Sequence, residues 1–297
     1  MSANTPGIPL KPVWFITGCS TGFGRELAKY LLNMGYRVVI TARKLDKITD
    51  LNSEIKHGAI AEFLELDVTN KAQVITAIHT AETKFGQIDV LVNNAGIGYF
   101  AAVEESEEDE VRKMFEINIV GLSRMIKAVL PGMRKLRKGM IVNISSLAGI
   151  RSFPSLGFYS ATKFAVLGLS EALWQEVEPL GIKVMVVEPS GFRTDWAGRS
   201  ADESKQQISD YEQTAGKSRK MMREMSGHQP GDPTLAVKAI VKAVESLHPP
   251  HHLLLGNDAV EGAKAQLKTL KSEYSTWEVV SRGADFPEHL QEQAIKH

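Results

Sequence analysis

Seven short apolar runs, rich in β-branched residues, alternate along the chain with longer helix-like stretches. The runs are "VWFIT" 13–17, "RVVIT" 37–41, "AEFLEL" 61–66, "IDVLVN" 88–93, "MIVNIS" 140–145, "IKVMVVE" 182–188 and "HLLLG" 252–256. Each is short enough for a strand. The segments 22–34, 70–85, 107–130, 157–178 and 233–247 between them read as helices. Nearly continuous apolar strands alternating with helices imply βαβ units, hence a parallel sheet covered on both faces. The expectation is an α/β chain: one doubly wound domain over 1–297, with a seven-stranded parallel sheet flanked by helices. Two segments depart from the rhythm. Residues 195–231 are polar with interspersed Trp, Tyr and "MMREM", and follow the sixth strand, where such folds hold ligands. This is the expected substrate-binding insertion. Residues 257–297 form a C-terminal helical extension, "DAVEGAKAQLKTLKSEYSTWEVVSR" and beyond, which offers a surface for self-association.

Composition excludes several functions. Lys plus Arg equals Asp plus Glu, 35 each, and this balance gives no support to nucleic-acid binding. The single cysteine, Cys19, excludes an intramolecular disulfide and a cysteine-based zinc site. "HPPHH" 248–252 is stiffened by two prolines and lacks a neighbouring carboxylate, so no metal site is expected. No apolar run is long enough to span a membrane, and "MSANTPGIPLKPVW" lacks the layout of a signal peptide. A cytoplasmic protein is expected.

"TGCSTGFG" 17–24 joins the first strand to the first helix. Gly18, Gly22 and Gly24 suit a tight turn, a close backbone approach to a pyrophosphate, and close helix–strand packing. The helix start adds unpaired N–H groups and a positive dipole end. At the end of the second strand, "ITARK" places Arg43 and Lys44 where an NAD site would carry an acid. A guanidinium binds a ribose 2′-phosphate that a carboxylate would repel, so NADP(H) is the expected cofactor.

"YSATK" 159–163 sets Tyr159 and Lys163 on one helix face. An ammonium about 4 Å from the phenol contributes about 4 kcal/mol at an effective dielectric near 20. That would lower the tyrosine pKa from about 10 by roughly three, enough for a general acid and base near neutral pH.

With the motifs "TGCSTGFG" 17–24, "LDV" 66–68, "NNAG" 93–96, "INIVG" 117–121, "ISSLAG" 144–149, "YSATK" 159–163 and "EPSGFRT" 188–194 in order, the chain resembles the short-chain dehydrogenase/reductase family over about residues 12–260. It is similar in layout to retinol and hydroxysteroid dehydrogenase-like members. The resemblance implies a Rossmann domain in which Tyr159 exchanges a proton with the substrate oxygen. Lys163 would hold the nicotinamide ribose, Ser146 the substrate oxygen, and Asn118 a water linking the lysine to solvent. It further implies that Asp67 and Val68 meet the adenine, that Asn93 meets its ribose, and that Thr21 and Arg43 share the 2′-phosphate. Cofactor contacts from Ser20, Phe23, Ala95, Gly96, Pro189, Phe192 and Thr194 follow from the same resemblance, as does a homodimer or homotetramer. One departure is visible: Ser190 separates Pro189 from Gly191, where the family has proline followed directly by glycine.

Tyr99, Phe100, Phe153, Leu156, Phe158 and Trp196 flank the expected site, with Met221, Met222 and Met225 as an adaptable wall. The expected substrate is a mostly apolar alcohol or carbonyl compound. Two rivals stand beside this reading. A dehalogenating relative of the fold would replace the lysine by arginine and lose the glycine turn, whereas Lys163 and the glycines are present. A non-catalytic NADP-binding sensor would keep the turn without needing the Ser146–Tyr159–Lys163 set.

Overall fold

Trp14 and Ile16 of the first strand pack into one apolar cluster and Phe15, between them, into another, as period-two alternation requires of a strand buried on both faces. The computed structural model describes residues 11–286 and arranges them around this strand. Seven strands form one parallel sheet: β1 (Val13–Ile16), β2 (Arg37–Ala42), β3 (Ile60–Glu65), β4 (Val90–Asn93), β6 (Gly139–Ile144), β7 (Ile182–Pro189) and β9 (His252–Leu255). Their spatial order is β3-β2-β1-β4-β6-β7-β9. Two more strands, β5 (Gly98–Phe100) and β8 (Ala201–Glu203), pair with each other outside that sheet.

Helices cover both faces. On one, α1 (Gly22–Asn33) and α7 (Pro233–Val244) bury Leu27, Leu31, Val237 and Ile240 against Trp14, Ile16, Val38 and Ile40. On the other, α2 (Lys71–Phe85), α4 (Leu122–Leu136) and α5 (Gly157–Val177) bury Val74, Ile78, Met125, Val129 and Val166 against Phe15, Val39, Leu91 and Ile141. Local chemistry sets the ends. The Asn70 side chain accepts from the Ala72 and Gln73 amides at the start of α2, and Gly86 closes that helix with φ 81°. Asp232 caps α7, with Pro233 in its first turn. The stretch read as one helix over 107–130 is α3 (Glu108–Phe115), a π-helical turn Glu116–Gly121 and α4.

The 195–231 insertion folds back over the carboxyl edge of the sheet as β8, a short turn and α6 (Lys217–Glu224). The acidic run 104–110, which reads from sequence as a solvated helix start, does open α3 with Glu108, Asp109 and Glu110 in its first turn, but Glu105 departs from that reading. Glu105 is 1% exposed and pairs at 3.2 Å with Arg219 of α6. Its oxygens also accept the Ala102 amide at 3.0 Å and the Ile208 amide at 2.9 Å. Burial works to raise the Glu105 pKa, but these two amides and the guanidinium outweigh it and hold it below the ordinary value. The last helix, α8 (Asn257–Arg282), buries only Ala259 and Ala263. Residues 1–10 and 287–297, the latter closing the expected extension, lie outside the described residues. Among the described residues no helix is long and apolar enough to cross a membrane.

Arg219→Ala strands the Glu105 carboxylate in the interior and should cost about 3–5 kcal/mol of stability by urea unfolding. Arg219→Met with Glu105→Gln should recover part of it. A loss below about 1 kcal/mol, the range of exposed pairs, would show that this pair does not hold the insertion down.

Candidate active site

The direction of winding reverses between β1 and β4, so the loops that follow them face each other at the carboxyl edge. The contact is close: a Cβ on Gly18 would lie 2.8 Å from Ala95 Cα, and Gly18 has φ +72°. Thr17 and Asn94 lock it. The Thr17 hydroxyl accepts the Asn94 and Ala95 amides, each at 3.0 Å. Asn94 Nδ2 donates to the Thr17 and Gly18 carbonyls at 2.9 and 3.0 Å. Gly24 lies behind the turn, where a Cβ would come within 2.6 Å of the Gly18 carbonyl. Gly22 has φ +60°, and a Cβ there would meet nothing nearer than Thr194 Cβ at 3.8 Å. The turn therefore presents bare backbone to a cavity of about 950 Å³.

At that cavity's wall stand Gly18, Ser20, Thr21, Gly22 and Phe23 from the turn, then Arg43, Asp67 and Val68 from the ends of β2 and β3. Ala95 and Gly96 follow β4, while Pro189, Phe192 and Thr194 follow β7. Phe23 and Phe192 meet edge to face at 5.1 Å. Arg43 is exposed and has no ion-pair partner among the described residues. Asp67 Oδ1 accepts from the Thr69 amide and hydroxyl at 2.8 and 2.7 Å, which fixes its loop. Ser190, standing where the resemblance would put glycine, is tied to β9: its amide and hydroxyl both donate to the Leu255 carbonyl, at 3.0 and 3.3 Å.

Such a bare turn, flanked by an unpaired guanidinium and open to a long cavity, fits the phosphates and ribose of a pyridine dinucleotide. Cys19 faces away from it, buried, with its Sγ donating to the Ile16 carbonyl at 3.4 Å. Burial pushes this thiol up to about 12, which makes it inert rather than reactive.

Helix α5 carries Tyr159 and Lys163 into the same cavity, 6% and 8% exposed. Ser146, just after β6, accepts the Ala148 amide at 3.0 Å, so its own proton stays available. Gly149 lets this loop approach α5: a Cβ there would be 2.8 Å from the Lys163 carbonyl. Lys163 Nζ donates to the Ile144 carbonyl at 2.9 Å and lies 5.6 Å from the Tyr159 ring centroid. In the chain alone the expected lowering of the phenol pKa is absent. Burial drives Tyr159 well above its ordinary value, and the hydrogen bond with Ser146 only partly offsets it. Burial likewise pushes Lys163 down, to about 8. Desolvation of two buried groups outweighs the attraction that the spacing suggests.

Two other expected residues are not at the cavity. Asn93 is buried, with Nδ2 donating to Asn143 Oδ1 at 2.9 Å, so its side chain holds β4 to β6 and does not line the cavity. Alternation along the strand points it inward, and Asn94 lines the cavity in its place. Asn118, in the π-helical turn, lies behind Lys163: its Oδ1 accepts the Ile97 amide at 2.9 Å, and its Nδ2 donates to the Ile97 carbonyl and to Thr162 Oγ1. Both donors are spent on the protein.

On the substrate side, Phe153, Leu156, Trp196 and the three methionines 221, 222 and 225 line the wall. Trp196 lies 4.9 Å from the Tyr159 ring and seals Gly98, where a Cβ would be 2.6 Å from the indole. Tyr99 and Phe100 pack behind it, and Phe158 joins the same cluster. Sequence reading missed Arg151 and the start of α8, where Asp258, Glu261 and Gly262 also reach the wall. Only Asn94 had a local signal, its place in "NNAG".

The family described as short chain dehydrogenase matches residues 12–205. Oxidoreductase BOA17 of Botryotinia fuckeliana is 40% identical over 271 residues, covering 91% of this chain and 97% of its own length. The 3-ketodihydrosphingosine reductase of Bacteroides thetaiotaomicron is 40% identical over 242 residues, 81% of this chain and 86% of that one. A short-chain dehydrogenase structure from Streptomyces avermitilis superposes with a TM-score of 0.85 at 39% identity, covering 94% of this chain and all of that one. This chain belongs to the short-chain dehydrogenase/reductase family of oxidoreductases. Solved relatives carry either cofactor: ElxO holds NADP (30% identity, TM-score 0.69, 85% of this chain and 100% of that one), and the 3-ketoacyl-(acyl-carrier-protein) reductase of Brucella melitensis holds NADH (26%, 0.68, 82% and 96%).

Because Lys163 in the folded chain loses its proton near pH 8 and in the unfolded chain near 10.5, the unfolded state binds more protons between those values. Its stability contribution therefore rises with pH across that window and is smallest below it. The stability of wild type minus that of Lys163→Met, from urea unfolding without cofactor, should climb by up to about 3 kcal/mol between pH 8 and 10.5. A flat difference would mean that the ammonium is solvated.

Proposed function

We propose that the chain is an NADP(H)-dependent oxidoreductase, interconverting a ketone or aldehyde and an alcohol on a mostly apolar substrate, with Tyr159 as general acid and base. One observation carries the reading: Ser146, Tyr159 and Lys163 open into the same cavity as the bare glycine turn. When bound, the nicotinamide supplies or accepts the hydride. The protein handles the proton and the position. In reduction, the Tyr159 hydroxyl donates its proton to the substrate oxygen; in oxidation it takes that proton back. Burial keeps the phenol protonated in the free chain, which suits the donor role. Ser146 donates a hydrogen bond to the same oxygen. Lys163 brings a positive charge into the wall and has no carboxylate paired with it among the described residues, favouring charge that develops on the phenol oxygen.

Preference for NADP(H) rests on Arg43, with Thr21 lining the same cavity. Phe153, Leu156, Trp196 and the methionines exclude water around an apolar substrate body. A single-domain, cytoplasmic, oligomeric enzyme accompanies this reading.

Two measurements test it. Against apolar ketones and aldehydes, with 3-ketodihydrosphingosine included because a relative is named for it, Tyr159→Phe should lose about 10²–10⁴-fold in NADPH oxidation while still binding NADPH. Binding of NADPH by wild type with no turnover anywhere in a broad panel would favour the sensor reading. Separately, Arg43→Glu should weaken NADPH binding about 10–100-fold in calorimetry and leave NADH nearly unchanged. Equal losses for both cofactors would remove Arg43 from the 2′-phosphate site.

A further inference from the structure

Helix α8 leaves the body almost at once. Ala259 and Ala263 are its only buried residues, yet it runs on to Arg282. At 1.5 Å per residue its length is about 39 Å, and roughly the last 28 Å stands in solvent. Helices in proteins draw most of their stability from packing an apolar face, and here the apolar side chains of the free part would be left wet. Leu267, Tyr274 and Trp277 are 66%, 68% and 62% exposed.

Their spacing is ordered. Val260, Ala263, Leu267, Leu270, Tyr274, Trp277 and Ser281 succeed one another at alternating steps of three and four, the a and d positions of three heptads. The seam starts against the chain's own body at Ala263 and continues into a groove along the free part of the helix, lined by Leu267, Leu270, Tyr274, Trp277 and Ser281.

Flanking charges choose the occupant. In this frame the e positions on the free part are Lys264, Lys271 and Glu278, and the g positions include Glu273. A parallel pair would set Glu273 against the partner's Glu278, a like-charge contact. An antiparallel pair, with Tyr274 of each copy against the partner's Trp277, sets Lys271 against the partner's Glu278 and Glu278 against the partner's Lys271. In the same register Lys264 meets the negative C-terminal end of the partner's helix. The partner's Ala263, the last residue its helix buries, then falls beyond Arg282, so the paired stretch is the free part of each helix. Lys264 and Glu278 now hold exposed neighbours on their own helix, Glu261 at 3.1 Å and Arg282 at 2.7 Å. Such pairs are worth little and exchange readily.

We propose that α8 pairs, antiparallel and two-fold symmetric, with α8 of a second copy of this chain. The Tyr274–Trp277 contacts form its centre, and Lys271–Glu278 sets its register.

Sedimentation equilibrium of the full chain tests this. Lys271→Glu and Glu278→Lys each place like charges opposite one another twice in the assembly, and each should halve the wild-type mass. The double variant, Lys271→Glu with Glu278→Lys, should restore it. None of these positions lines the cavity, so NADPH binding and circular dichroism should match wild type in all three and report intact folding. A wild-type mass of one chain would overturn the proposal and leave α8 to a different partner. A mass equal to wild type in both single variants would overturn it too. Halving without rescue by the double variant would reject the antiparallel register.

Discussion

A threonine hydroxyl and an asparagine amide fasten the two loops on which the site depends. In a parallel sheet whose winding reverses between β1 and β4, two strand ends point the same way with no helix between them. That leaves a crevice lined by backbone. Thr17 bridges it, donating to Val92 of β4 at 3.3 Å and accepting the amides of Asn94 and Ala95. Asn94 returns two hydrogen bonds to the glycine turn. The turn is thus held open in a shape that only residues without a Cβ can complete at Gly18 and Gly24. The cavity, the half-buried start of α1 and the facing loop after β7 all take their positions from that junction.

Burial then decides the electrostatics. Tyr159 and Lys163 share a helix face and both are buried, with Trp196 of the insertion against the phenol ring. Taking an ammonium and a phenol out of water pushes the first down and the second up, away from their charged forms. A polar frame of considerable extent maintains that enclosure. Glu105 and Arg219 pair in the interior, and Arg223 packs over the Phe100 ring at 4.9 Å while donating to the carbonyls of Ala197, Gly198 and Ala201. The hydrophobic wall near the tyrosine is therefore positioned by a buried ion pair and a half-buried arginine, none of which lines the cavity.

Most of the frame was legible in the chain. All seven strands of the main sheet fall on the apolar runs, and α8 falls on the tail read as a helix. Sixteen of the nineteen candidate residues stand at one cavity; Gly24, Asn93 and Asn118 stand behind it. The exceptions share a cause. Each belongs to a motif whose neighbours touch the cavity, and its own direction is set by strand alternation or helix phase. The small β5–β8 sheet and the burial of Glu105 were not legible, because three-residue strands and a single acid within an acidic run carry no periodic signal.

What the sequence by itself determined is whatever repeats locally. Alternating apolar runs define strands and helices, glycines at 18, 22 and 24 define a turn, and a four-residue interval places Tyr159 beside Lys163 on one face. Only the tertiary structure decided which of these groups lose their water, which of two adjacent asparagines faces the cavity, and which charges from 105 and 219 meet. Desolvation and pairing depend on segments far apart in the chain, and no local pattern encodes the distance that folding closes between them.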